Sequence, residues 1–227
     1  MKFTYYGHAC FGVELAGHTL LFDPFISPNP LAKEIDVKKV AADFILVSHG
    51  HGDHLADVVE IAKRTGAKVI APFEVGDWLE SKKGVKNVQA MNHGGATSTP
   101  FGRIKLTAAI HSSSLPDGSY GGNPCGFVVE SADGNFYYSG DTALTMDMKL
   151  IGETIELRYA VLPIGDFFTM GIDDAIRAAD FVGAKTIVGV HYDTFPPIKI
   201  DHEVALNRFR AAGKELLLPK IGETIEL

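Results

Sequence analysis

The stretch FILVSHGHGDHLADVVEIAKRTG, residues 44–66, constrains the fold more than any other part of this chain. FILV is continuously apolar, which suits a strand covered on both faces. It stops at SHGHGDH, residues 48–54, where three of nine histidines and an aspartate fall within seven positions. Directly after, Leu55, Val58, Val59 and Ala62 recur at helical spacing, and Gly66 suits the helix C-cap. A buried strand, a polar loop and an amphipathic helix together make a unit of an α/β sheet. The loop at the carboxyl end of such a strand is where these sheets place their chemistry.

The rest of the chain repeats the pattern. KFTYY, FGVEL and TLLFDP read as short strands joined by turns, followed by a Pro- and Asn-rich loop over residues 24–30. KVIAP, NVQAM, RIKLTAAIHS, GFVVES, NFYYSGD, YAVLPIG, TIVGVHY, LLLP and TIEL read as further strands, about a dozen in all. Helices are expected at residues 55–66, around Asp77 to Lys82, at DDAIRAADFVG with Asp173 as N-cap, and at DHEVALNRFRAAG. Two packed sheets with helices outside fit this order better than a doubly wound sheet. No linker divides the chain, so 1–227 reads as a single domain. The heptapeptide IGETIEL occurs at 151–157 and again at 221–227. Two copies are too few for a solenoid, and both read as strand-ending segments.

Composition narrows the function. A net charge of −7 without a basic cluster argues against a nucleic-acid partner. No apolar run approaches the ~20 residues that span a bilayer, and the N-terminus lacks the h-region of a signal peptide. The expectation is a cytoplasmic protein acting on a small molecule, with no nucleic-acid or membrane partner and with homo-oligomer formation left open. Cys10 and Cys125 then read as free buried thiols.

The chemistry lies in H-x-H-x-D-H: His49, His51, Asp53 and His54. Neutral imidazole and carboxylate are ligands for zinc and other first-row divalent ions. If the loop is not helical, alternate side chains converge, so that His49 and His51 serve one ion while Asp53 and His54 turn toward another. Further candidate ligands stand at strand ends: His111 after RIKLTAAI, Asp141 after NFYYSG and His191 after TIVGV.

HGHGDH, followed by a strand-end His, SGDT and a strand-end HY, resembles the metallo-β-lactamase superfamily of dinuclear metal hydrolases. The resemblance covers essentially the whole chain. GHACF, LLFDPF, YGGNPCGF and LPIGDFFTMG are similar, more narrowly, to its uncharacterised metal-dependent hydrolase branch, itself similar to the ascorbate-6-phosphate lactonase group. The resemblance implies an αββα sandwich with metals in a groove at one edge. It implies a first metal on His49, His51 and His111, and a second on Asp53, His54 and His191, with Asp141 bridging. Two divalent ions are expected, zinc first, with Mn2+, Fe2+ or Ni2+ as alternatives. The chain lacks the export signal, and the cysteine near Asp141, of antibiotic-hydrolysing members.

Two divalent ions, two aspartates and a bridging hydroxide leave residual positive charge, and a bound water of pKa roughly 7 supplies the nucleophile. Hydrolysis at a carbonyl or phosphoryl centre of a small anionic metabolite follows, a lactone or ester first and a phosphodiester second. Asp53 is the catalytic proton carrier that the resemblance implies. A di-iron redox protein on the same scaffold is the rival; such proteins carry Glu where His51 stands. His8, Ser112, Tyr120 and Asn123 are the candidate substrate contacts. Asp23 either closes a turn or hydrogen-bonds a metal-binding histidine.

Overall fold

In the computed structural model, which describes residues 1–227, the first three apolar stretches form an antiparallel meander: β1 (Lys2–Gly7), β2 (Cys10–Leu15) and β3 (His18–Phe22). Parallel strands β4 (Phe44–Leu46), β5 (Lys68–Pro72) and β6 (Val88–Met91) extend the sheet from β3. A second sheet follows the same plan. Antiparallel β7 (Ala96–Thr99), β8 (Gly102–Ala108), β9 (Cys125–Ser131) and β10 (Phe136–Tyr138) lead into parallel β11 (Tyr159–Pro163), β12 (Thr186–Val190) and β13 (Glu215–Leu217). The last strand, β14 (Thr224–Glu226), returns to pair with β1, giving seven strands per sheet.

Three apolar layers hold these elements. Between the sheets lies an aromatic-rich core in which Phe11 stacks on Phe3 at 4.9 Å and on Phe22 at 4.4 Å. Outside the first sheet, Val58, Ile61 and Ala62 of α2 (Val58–Thr65) and Val75 and Leu79 of α3 (Phe73–Ser81) cover Ile45 and Val69. Outside the second, α4 (Met148–Gly152), α5 (Ile172–Phe181) and α6 (His202–Ala211) cover Ala160, Leu162 and Ile187. The result is an αββα sandwich. Cys10 and Cys125 are free and fully buried, and burial pushes both thiols up, so neither is poised to react.

Several local expectations are corrected. The histidine loop is not wholly extended: Gly52–Leu55 forms one helical turn, α1, with His51 as its N-cap. Six helices form rather than four, and the one expected at Asp77 to Lys82 begins four residues earlier, at Phe73. ATST, for which no element was expected, is edge strand β7, because β8 offers it a backbone ladder. Helix α5 takes Gly171 as N-cap, placing Asp173 in its first turn. β8 ends at Ala108, so His111 stands in the following loop.

The IGETIEL copies differ most. Ile151 and Gly152 close helix α4, and Thr154 Oγ1 donates back to Leu150 O at 2.9 Å. In the second copy, Gly222 donates its N–H to Tyr5 O at 2.7 Å, and Thr224–Glu226 pairs with Lys2–Thr4. One sequence thus ends a helix where Phe181 and Val182 press on it, and forms a strand where β1 presents a free edge.

Candidate metal centre

The parallel strands bring their carboxyl ends to one edge of the sandwich, and the chemistry-bearing residues follow those ends. Asp23 follows β3, His49 to His54 follow β4, Asp141 follows β10 and His191 follows β12. Cys125 N donates to Ser48 O at 2.9 Å, tying the histidine loop to the opposite sheet. Ser113 Oγ accepts from Gly50 N at 3.0 Å and donates to Gly121 O at 2.9 Å, pinning the same loop from another side.

Three groups of donor atoms gather there, each within 4.8 Å: His49, His51 and His111; His8, Asp53, His54 and His191; and His49, His54 and Asp141. Asp141 is central. Its Oδ2 lies 2.9 Å from His191 Nε2, 3.3 Å from His54 Nε2, 3.7 Å from His111 Nε2 and 4.0 Å from His49 Nε2. Burial favours its neutral form, but His191 and His54 outweigh it and hold the carboxyl well below the usual range.

Whether these residues fit divalent ions is answered by their unused atoms. His54 Nε2 and Asp141 Oδ1 are buried without a hydrogen-bond partner, an arrangement that costs stability unless something else engages them. His49 Nε2 and His51 Nδ1 lie 2.9 Å apart, close to the roughly 3.3 Å that two nitrogens span when each is about 2.05 Å from a tetrahedral zinc. The remaining ring nitrogens are held from behind. His54 Nδ1 donates to Asp23 Oδ2 at 2.8 Å, and His49 Nδ1 meets Ser48 Oγ at 2.9 Å, whose hydroxyl donates to the same Asp23 oxygen at 2.6 Å. His49 therefore presents an unprotonated Nε2 to the centre, and His54 aims its Nε2 there, a nitrogen that must give up its proton when an ion binds. The donor set fits.

Proton affinities favour neutral ligands at three of the four histidines in the first and third of these donor groups. Burial lowers His49, His51 and His111 from the ordinary histidine value. His54 alone is raised: burial opposes its charge, but Asp141 and Asp23 together prevail.

The candidate substrate contacts separate. Ser112 lines the groove, with Oγ 3.3 Å from His51 Nε2. His8 does not face the groove: its side chain is fully buried. It receives Thr194 Oγ1–H at Nδ1 (3.0 Å) and donates Nε2–H to Asp53 Oδ2 (3.1 Å). Burial, then His191, pushes its pKa down to about 4, so it is neutral at pH 7. His8 is therefore placed behind Asp53, where it orients that carboxylate. Tyr120 and Asn123 bond each other at 3.1 Å on an exposed loop outside the groove.

Sequence reasoning left Asp23 undecided and passed over Tyr138. Asp23 is fully buried and accepts four hydrogen bonds, from Ser48 N, Ser48 Oγ, His54 Nδ1 and Tyr138 OH. Its φ of 40° had no signal in the sequence, because the proline that follows favours extended backbone at the residue before it. The groove over the centre encloses about 450 Å³. No Lys or Arg lines it, so the chain supplies no cation for the anionic substrate that the ions' charge had implied. Phe168, Phe195 and Pro197 form its wall instead.

The chain resembles known proteins throughout its length. The profile of a "Beta-lactamase superfamily domain" matches residues 18–192. A "UPF0173 metal-dependent hydrolase" of Methylacidiphilum infernorum is 52% identical over 227 residues, covering 100% of both chains. One of Flavobacterium johnsoniae is 50% identical, again over 100% of both. Among solved structures, Igni18, a metallo hydrolase from Ignicoccus hospitalis, superposes with a TM-score of 0.87 at 34% identity, covering 99% of this chain and 97% of its own.

Proposed function

As a member of the β-lactamase superfamily, within its UPF0173 metal-dependent hydrolases, the chain is a metal-dependent hydrolase, and we propose that it works with two divalent ions, zinc first, on a carboxylic ester or lactone. The observation that carries this reading is the position of Asp141 Oδ2, within 4.0 Å of histidines from both triads. A carboxylate so placed would serve both ions, and His49, His51 and His111 would hold one while Asp53, His54 and His191 would hold the other.

Bound there, such ions supply a water that ionises near neutrality and an electrophilic contact for the substrate's carbonyl oxygen. The chain's residues handle position and protons. His8 fixes Asp53 from below, and Asp53 remains partly open to the groove, its side chain 28% exposed. Burial opposes its charge, but the His8 hydrogen bond and His54 hold it ionised well below the usual range. Its carboxylate is placed to accept a hydrogen bond from the attacking water and orient it as oxygen bonds to the acyl carbon. It relays that water's proton to the leaving oxygen as the C–O bond breaks, without holding it, so no net proton stays on the enzyme. Ser112 Oγ offers a hydrogen bond at the rim.

Metal analysis of protein stripped and then reconstituted with zinc, alongside hydrolysis of a lactone, a simple ester and bis-p-nitrophenyl phosphate, tests this reading. Two ions per chain with ester or lactone turnover that His51→Ala abolishes is the expected result. Phosphodiester cleavage alone would move the electrophile to phosphorus. Bound iron with oxygen consumption and no hydrolysis would overturn the hydrolase mechanism.

A further inference from the structure

The turn built from IGDFFTMG, residues 164–171, belongs to neither sheet nor helix, and its backbone is strained. Asp166 and Phe167 stand at φ 60° and 61°, consecutive non-glycine residues in the left-handed region. A bulky aromatic residue holds that conformation only where its surroundings enforce it, and such strain concentrates at functional sites.

The enforcing contacts come from the segments that carry the candidate ligands. Ile164 N donates to Val190 O at 3.1 Å, one residue before His191. A Cβ on Gly165 would come within 2.1 Å of His191 O, so the turn lies flat against that ligand's backbone. On the other side, Met170 N donates to Thr142 O at 3.0 Å, one residue after Asp141. Asp166 N donates to Met170 O at 3.1 Å and closes the loop. The position of the turn relative to Asp141 and His191 is therefore fixed.

What the strain holds in place is a pair of phenyl rings in solvent. Phe167 is 71% exposed and Phe168 is 50% exposed, with their rings edge to face at 4.8 Å. Phe168 lines the groove over the centre, together with Phe195 and Pro197. Phe195 is anchored from behind, its ring 5.4 Å from that of His8 and 6.4 Å from that of Phe25. Exposed aromatic surface of this kind, fixed beside a reactive centre, is surface waiting for an apolar partner.

Resting on the reading of this groove as a hydrolytic site, we infer that Phe168 and Phe195 select the substrate. They take an uncharged acyl group bearing an aromatic or extended alkyl substituent, and they disfavour one bearing a second carboxylate or phosphate. Phe168 supplies the side of the slot carried by the strained turn, and Phe195 the side packed against His8 and Phe25. The strained backbone at Asp166–Phe167 sets the slot's width. An anionic substituent would lose its hydration against phenyl rings and meet no Lys or Arg in return.

The test uses the zinc-loaded protein with three esters that share a methoxide leaving group: methyl 3-phenylpropanoate, methyl butanoate and monomethyl succinate, followed by proton release. The phenyl ester should exceed the succinate by about tenfold or more in kcat/KM, the scale on which an apolar pocket discriminates. Phe168→Ala should collapse that ratio, and Phe168→Leu should keep much of it. Phe167→Gly, which relaxes the turn while leaving Phe168 in the chain, should also erode it. Zinc content of each variant should match the parent, as should the melting temperature of the two Phe168 variants.

Binding of 3-phenylpropanamide and of succinamate to the metal-free protein, read by saturation-transfer NMR, supplies an answer independent of turnover. Phe168-dependent binding of the phenyl amide with no ester turned over would defeat the ester reading and leave the aromatic slot standing. Ester turnover that prefers the succinate, or amide binding and ester selectivity that ignore Phe168, would overturn the slot and leave the hydrolase standing.

Discussion

Asp23 Oδ2 lies 2.8 Å from His54 Nδ1, and both side chains are completely shielded from solvent. The same oxygen accepts Ser48 Oγ and Tyr138 OH, each at 2.6 Å. One carboxylate, brought in by β3, thereby sets the tautomer of His54 directly and that of His49 through Ser48.

Asp23→Asn should consequently weaken metal binding and stability together. An amide nitrogen turned toward any of these four donors loses a hydrogen bond and leaves a buried donor unmatched. Zinc affinity should fall about 10- to 100-fold, as for other outer partners of metal ligands, and the metal-free protein should lose on the order of 3 kcal/mol. Competition titration against a zinc chelator and urea unfolding read the two effects. An unchanged affinity would remove Asp23 from the metal's support.

Removing the metal should lower the melting temperature, because ions that bind only the folded chain stabilise it by mass action. The effect is about 4 kcal/mol per ion at a thousandfold excess over Kd. His111→Ala should retain one tightly held zinc of the two, because His111 belongs to only one triad. A single zinc on the parent protein would defeat the two-ion proposal.

The metal-free protein should lose stability in mild acid. His8 sits near pKa 4 through burial and then His191, and His49, His51 and His111 are also lowered. A histidine whose folded pKa lies below its unfolded value of about 6.5 leaves the unfolded chain binding more protons, so unfolding is favoured as pH falls through that window. His54, raised by its two aspartates against its burial, works in the opposite direction. Four lowered groups against one raised predict a net decline between about pH 6.5 and 4. Urea unfolding of chelator-treated protein at pH 7.5, 6 and 5 checks the sign, and stability rising toward pH 5 would refute it.

The repeated heptapeptide gives a test of context. A Cβ on Gly152 would meet Phe181 O at 2.4 Å, whereas Gly222 stands in the left-handed region at φ 85° with only the flexible tip of Ile35 nearby. Asn tolerates that region better than other side chains. Gly222→Asn should cost about 1 kcal/mol, and Gly152→Asn, pressed against backbone, on the order of 2 kcal/mol or more. Thermal unfolding of the two variants decides, and equal losses would show that the copies share one constraint.

Much of the architecture is legible in the residues. FILV followed by a helical pattern, and the same unit at YAVLPIG and TIVGV, signals parallel strands under helices, because apolarity on both faces leaves few other folds. The seven donors His49, His51, Asp53, His54, His111, Asp141 and His191 are legible for a related reason. They stand just beyond apolar stretches, and strand ends gather at one edge of a sheet.

What the sequence determined by itself was thus the local unit and the donor chemistry, both carried by residues within a few positions of one another. The tertiary structure decided the rest, because it depends on residues far apart in the chain meeting in space. His8 turned out to serve Asp53, 45 positions away, and Asp23 meets Tyr138 across 115. Phe168 and Phe195 share a groove only because β11 and β12 run side by side. The two IGETIEL copies make the limit plain. Identical residues have identical propensities, so only the neighbours, a packed helix in one case and the open edge of β1 in the other, select helix end or strand.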